Sequence, residues 1–206
     1  MALWLAAEPL VLASRSNVRR AVLQAAAIPV EVVPADIDER TVAADAASGG
    51  AALAPGDTAA LLARAKAMAV AQAKPGRIVL GADQTLALGA RQLHKPAGRS
   101  GAVEQLRMLR GQSHALHAGV AVACGEEVLF THVAVATLTM RNFSEDFLAR
   151  YLDAAGDDVL DSVGGYQLEG QGSHLFERVD GDYFTVLGLP LLPLLDFFRR
   201  QGLVAG

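Results

Sequence analysis

Residues 114–140 read HALHAGVAVACGEEVLFTHVAVATLTM. Two long runs of small and β-branched residues flank the turn Cys124-Gly125-Glu126-Glu127. That pattern predicts a hairpin of two long strands, 114–123 and 128–140. Working upstream, 100–110 reads as a helix ending at Gly111. Residues 78–82 form an apolar run of the buried-strand type, with Asp83 at its end. Asp57-Thr58 caps an Ala-rich helix that runs to about Ala73 and stops at Pro75-Gly76. The stretch 43–55, rich in Ala and Gly, reads as a loop or a frayed helix end. Residues 10–13 are a short strand that meets N-cap chemistry at Ser14-Arg15-Ser16-Asn17. A helix over 18–27 follows, halted by Pro29, and then a strand over 30–33. Downstream, Ser144 caps a helix with Glu145 and Asp146 in its first turn. Gly164-Gly165 and Gly170 punctuate a loop. Residues 175–179 and 183–186 flank Asp180-Gly181-Asp182 as a second hairpin, and Pro190 opens the last helix. Helices alternating with strands, plus hairpins, give an α/β fold with a mixed sheet.

The chain has 206 residues, 52% hydrophobic and 19% charged, which is the balance of a globular protein with a sizeable core. No linker divides it, so a single domain over 1–206 is expected. The longest apolar stretches, such as 187–195, are too short to span a bilayer and carry Gly188, Pro190 and Pro193. No basic region precedes the first apolar residues, so no signal peptide is expected. A net charge of −4 gives no broad nucleic-acid surface. The single cysteine, Cys124, excludes an internal disulfide and a cysteine zinc cluster, and points to a cytoplasmic protein. Of the 18 basic residues only Lys66, Lys74 and Lys95 are lysines, so each invites a reason.

Several residues have the chemistry of a site. Free backbone N–H groups at a helix N-terminus attract anions. Ser14, Ser16, Arg15, Arg19 and Arg20 surround one such corner, which reads either as a phosphate cradle or as an ordinary cap with solvated arginines. Asp83 follows a fully apolar run, where it would hold a divalent cation, take a proton from water, or merely form a turn. Lys66 lies among Leu62, Ala63, Ala67 and Ala69, as a snorkelling lysine would. Lys95 precedes Pro96 on extended backbone. For both lysines a surface cation is the plainer reading. Asp36-Ile37-Asp38-Glu39 reads by default as a solvated turn, as do Asp157, Asp158 and Asp161. The five histidines have no metal-ligand spacing and take no catalytic role.

Taken in order, these segments resemble one family. The set is Leu12-Ala13-Ser14-x-Ser16 with Arg19-Arg20, Ala35-Asp36-Ile37-Asp38-Glu39, Ala63-Arg64-Ala65-Lys66-Ala67, Gly81-Ala82-Asp83-Gln84 and Lys95-Pro96. It continues with Leu109-Arg110-Gly111-Gln112-Ser113-His114, Gly170, Glu177-Arg178, Gly181-Asp182-Tyr183 and Val186-Leu187-Gly188-Leu189-Pro190. The chain is similar to the Maf family, the septum-formation-type nucleotide pyrophosphatases, from Leu10 to about Leu203. The resemblance implies an elongated, twisted mixed sheet with flanking helices, in two lobes around a central cleft, as in the ITPase-like enzymes. It implies hydrolysis of a nucleoside triphosphate between the α and β phosphates, giving the monophosphate and pyrophosphate. A divalent cation, Mg²⁺ or Mn²⁺, is implied with it, and a homodimer is the family expectation. By motif position Asp83 is the general-base carboxylate and, with Glu39, a metal ligand. Ser14, Arg19, Lys66 and Lys95 match positions that handle phosphate and metal.

Departures from the commoner pattern bear on the base. Asn17 and Val18 stand where Pro and Arg are usual, Gln84 where Thr is usual, and Ser162 and Glu169 where Lys and Gln are usual. Gln84 with Glu169 resembles the branch acting on 7-methyl-GTP, although that branch carries Trp where this chain has Val18. Val18, Gln84 and Glu169 are therefore the specificity positions. The competing expectations are a dTTP/UTP pyrophosphatase, and a nucleotide-binding regulator of cell division with little turnover.

Overall fold

The computed structural model describes residues 2–47 and 53–206. Its elements run β1 (Leu10–Leu12), α1 (Asn17–Ala25), β2 (Val30–Val32), α2 (Glu39–Ala47), α3 (Pro55–Ala73), β3 (Val79–Leu88), β4 (Arg91–Leu93) and α4 (Gly98–Leu109). They continue with β5 (Ser113–Cys124), β6 (Glu127–Met140), α5 (Glu145–Ala155), two short 3₁₀ turns, β7 (Phe176–Asp180), α6 (Tyr183–Val186) and α7 (Leu191–Arg200). Among the described residues seven strands make one sheet in the order β2-β1-β3-β5-β6-β7, with β4 paired to β3. β1 pairs in parallel with both β2 and β3, whereas β3–β4 and β6–β7 are antiparallel. The sheet is thus mixed, and the 114–140 hairpin lies within it as β5 and β6, between β3 and β7. Among the described residues no helix is long and apolar enough to cross a membrane.

The chain divides into two compact units. The first comprises residues 1–84, 118–134 and 188–206. One part of its core joins Val11 of β1 and Ala13 just after it, Val79 of β3, Ala121 and Ala123 of β5, and Ala63, Ala67 and Val70 of α3. Nearly every one of these side chains is small, so helix and sheet can approach closely. The second unit comprises residues 85–117 and 135–187. Its core is built from larger groups: Leu86, Leu106, Leu116, Leu138, Met140, Phe143, Tyr151 and Tyr166.

Four expectations are corrected. β3 does not stop before Asp83 but continues to Leu88, and Asp83 and Thr85 are themselves buried in it. The polar letters Asp83-Gln84-Thr85 look like a strand end only if polar means exposed. Glu39 begins a helix rather than lying in a turn, because Asp38 is its cap: Asp38 Oδ1 accepts from the Arg40 and Thr41 amides at 3.0 and 3.2 Å. That helix fills 39–47; of the expected 43–55 loop, residues 48–52 lie outside the described residues. α3 starts two residues early, with Pro55 in its first turn and Asp57 inside it. Finally, 183–186 is a helical turn, not a strand. Asp182 caps it by accepting from the Thr185 amide at 2.9 Å, and the cap prevails over the β-propensity of Tyr, Phe, Thr and Val.

In the second unit His114 is buried, and its Nε2 shares a 2.6 Å hydrogen bond with the Tyr166 hydroxyl. Burial pushes the imidazole down to about 4. The unfolded chain, with an ordinary histidine, binds a proton that the folded chain refuses between about pH 6.5 and 4. Stability is therefore full above pH 6.5 and falls as pH drops through this window, by at most about 3 kcal/mol. Denaturant midpoints between pH 4 and 7.5 should show this slope in the native protein and a flatter one in His114→Gln. Parallel slopes would remove His114 as the cause.

Candidate active site

The site grows out of one close approach. Gly81 lies on β3 beneath α3, and a Cβ placed there would meet the Ala63 carbonyl oxygen at 2.1 Å and the Ala67 amide nitrogen at 2.6 Å. Gly119 on β5 meets the same helix one turn earlier, with its Cβ position 2.5 Å from the Ala59 carbonyl oxygen. Neither backbone can give way cheaply, so both positions require glycine. Residues two apart on a strand share a face, so Asp83 follows Gly81 toward α3. Lys66 lies on α3 between the two residues that touch Gly81. The result is a contact of 2.6 Å between Lys66 Nζ and Asp83 Oδ1. The same ammonium reaches Glu39 Oε1 at 2.7 Å. The Asp38 cap fixes the start of α2 and so presents Glu39.

Arg19 closes the group from α1. Its Nε donates to the Gly188 carbonyl at 2.8 Å, and its Nη1 donates to the Ala82 carbonyl at 2.8 Å and to Ser14 Oγ at 3.2 Å. Gly188, at φ +80°, leaves room: a Cβ there would stand 3.1 Å from Arg19 Nη2 and 3.3 Å from Gln84 Oε1. Arg19 thus ties the corner after β1 to β3 and to the segment before α7. Ser14 Oγ accepts from the Ser16 amide and from Arg19, which leaves its O–H proton to donate. Ser16 is the N-cap of α1, accepting from the Arg19 amide at 3.3 Å.

Electrostatically the group is balanced. Arg19 and Lys66 face Asp83 and Glu39, so with all four charged the sum is zero. The Lys66 and Asp83 side chains are each only 12% exposed, while Glu39 is 51% exposed. Burial raises the Asp83 pKa; Lys66 and Arg19 pull it back without cancelling the rise. Burial lowers that of Arg19, against the pull of Asp83 and Glu39. A carboxylate raised in this way is a better proton acceptor.

Of the residues singled out in the sequence, Ser14, Arg19, Glu39, Lys66 and Asp83 come together in the first unit, with Gln84 next to Arg19. Val18 is half-buried on α1, one residue from Arg19. Lys95 and Glu169 are exposed residues of the second unit, Lys95 between β4 and α4 and Glu169 in the loop after α5. Gly81, Gly119 and Gly188 were not read as part of the site. No local signal in the sequence shows what a glycine lies against.

The donor set suits a hard divalent cation. Two carboxylates converge on one point, that of the Lys66 ammonium. Among the described residues no three or more His, Cys, Asp or Glu side chains could hold an ion. A cation there would take its remaining oxygens from water and phosphate, which is how Mg²⁺ is usually held.

Gly81→Ala should cost about 3 kcal/mol, the upper end for overpacking, because its neighbours are backbone. Turnover should fall as well, since Lys66 and Asp83 move apart. Gly101→Ala, in α4 with its nearest neighbour 3.6 Å away, should instead gain roughly 0.5–1 kcal/mol. Melting curves of the two variants test the contrast; equal stabilities would refute the tight approach at Gly81.

Comparisons with known proteins agree over almost the whole chain. A family model described as Maf-like protein matches residues 9–201. A nucleoside triphosphate pyrophosphatase of Rhodopseudomonas palustris (strain HaA2) is 56% identical over 205 residues, covering 100% of both chains. One from Nitrobacter winogradskyi is 54% identical, again over 100% of both chains. A 7-methyl-GTP pyrophosphatase of Brucella abortus is 47% identical over 197 residues, covering 96% of this chain and 98% of that one.

Proposed function

This chain belongs to the Maf family, and from that premise we propose that it is a nucleoside triphosphate pyrophosphatase that prefers a guanine nucleotide, 7-methyl-GTP above all. The observation that carries the reaction is the Asp83–Lys66–Glu39 cluster beside the Ser14 and Arg19 corner. Hydrolysis of a phosphoanhydride is catalysed mainly by positioning and by neutralising phosphate charge. Asp83, its basicity raised by burial, accepts a proton from the attacking water. The water oxygen joins phosphorus, the α–β anhydride bond breaks, and pyrophosphate leaves. Ser14 donates its hydroxyl proton to a phosphate oxygen, as the N-terminal amides of α1 can. Lys66 and Lys95 supply positive charge to the triphosphate. Glu39 and Asp83 would hold Mg²⁺ or Mn²⁺, which when bound would neutralise phosphate charge and acidify water.

The base preference rests on Glu169 and Gln84, and the name of the Brucella relative supports it. A carboxylate accepts two hydrogen bonds, which suits the N1–H and 2-amino group of guanine. Methylation at position 7 makes the ring cationic, and a carboxylate favours that too. A glutamine in place of Glu169 offers one donor and one acceptor, which suits thymine or uracil.

Two experiments test this reading. Asp83→Asn should lose on the order of 10²- to 10⁴-fold in turnover while still binding nucleotide. Turnover near that of the native protein would take Asp83 out of the mechanism. In competitive hydrolysis of 7-methyl-GTP, GTP, dTTP and UTP, the guanine nucleotides should lead, and Glu169→Gln should erode their lead. Faster turnover of dTTP or UTP by the native protein would overturn the preference.

A further inference from the structure

Lys66 is placed to do more than bind phosphate. Its ammonium donates to Asp83 Oδ1 at 2.6 Å and stands 2.7 Å from Glu39 Oε1 in a second ion pair, so one cation serves two carboxylates. These are the same oxygens that a divalent cation would need. The lysine is also held deep, at 12% exposure, on a helix that the glycines at 81 and 119 pin against the sheet. It cannot swing freely into solvent when another cation arrives.

We propose that Lys66 is the resident counter-ion of the Glu39–Asp83 pair, that a divalent cation competes with it for those carboxylates, and that metal and triphosphate consequently bind cooperatively. This rests on reading Glu39 and Asp83 as the metal-holding pair. Metal alone would take the carboxylates and leave Lys66 a buried cation without a partner, which is strongly unfavourable. Triphosphate alone would meet four groups whose charges already cancel. Bound together, the two resolve both problems: the cation takes the carboxylates, and the released ammonium takes a phosphate oxygen. Linkage makes the effect reciprocal, so each ligand tightens the other by the same factor.

The test is Mn²⁺ binding followed by the electron paramagnetic resonance of the free ion, with and without α,β-methylene-GTP as a non-hydrolysable partner. In the native protein the nucleotide should tighten Mn²⁺ binding at least tenfold. In Lys66→Met, Mn²⁺ alone should bind at least tenfold more tightly than to the native protein, and the tightening by nucleotide should shrink. Lys74→Met, which removes a lysine paired with Glu31 at 2.9 Å, should bind Mn²⁺ as the native protein does. Independent binding in the native protein, or no gain in Lys66→Met, would overturn the proposal. Should Lys66→Met fail to fold, a crystal of native protein soaked in Mn²⁺ alone decides. Nζ withdrawn from Asp83 supports competition; Nζ still on both carboxylates, with Mn²⁺ bound elsewhere, refutes it. Cooperative binding without hydrolysis of any triphosphate would leave this proposal standing and sink the functional reading, and hydrolysis with independent binding would do the reverse.

Discussion

The contact between α3 and the floor of β3 and β5 is the constraint on which the site depends. A helix normally stands off a sheet by the length of its side chains. Here Gly81 and Gly119 remove the side chains below, and Ala59, Ala63 and Ala67 reduce those above. The helix backbone comes down to the strands, and a lysine on it meets an aspartate on the strand. Any larger residue at the two glycines would lift α3 by more than the slack of a 2.6 Å ion pair can absorb. The composition of the core around α3, mostly alanine and valine, follows from the same requirement.

Charge then decides what the arrangement can do. A buried aspartate with no partner would be costly, and so would a buried lysine or arginine. Each offsets the others: Lys66 pairs with Asp83 and Glu39, and Arg19 supplies the second positive charge while its hydrogen bonds go to two carbonyls and Ser14. The outcome is a balanced but tense group, with Asp83 pushed toward the proton and Arg19 away from it. In the function proposed above, such a group would receive a polyanion and a cation together. Of the residues to which we assign the base preference, Gln84 is carried by the same strand as Asp83, while Glu169 is carried by a loop of the other unit.

Much of the fold was legible because local chemistry spoke for it. The Gly125 turn between two β-branched runs fixes the β5–β6 hairpin, and the caps at Ser16 and Ser144 fix two helix starts. The misread segments are those where long-range packing overrules local pattern. β3 carries Asp83, Gln84 and Thr85 through its middle because Lys66 and the sheet compensate their polarity, and no window of five residues shows that. Asp83 was singled out for a strand end that does not exist, since β3 runs on to Leu88. Lys66 and Asp83 are 17 residues apart, and Arg19 and Gly188 are 169 apart, so their bonds are products of topology. Apart from the family motif and its apolar neighbours on the helix, the scarcity of lysine also pointed to Lys66. It also singled out Lys74, which serves only an ion pair with Glu31.

The most direct measurement follows the products of one nucleotide by phosphorus NMR. The protein is incubated with 7-methyl-GTP and Mg²⁺, and the signals are integrated as the substrate disappears. The account predicts nucleoside monophosphate and pyrophosphate in equal amounts from the first time point. Nucleoside diphosphate with orthophosphate, or no turnover of any triphosphate offered, would contradict it.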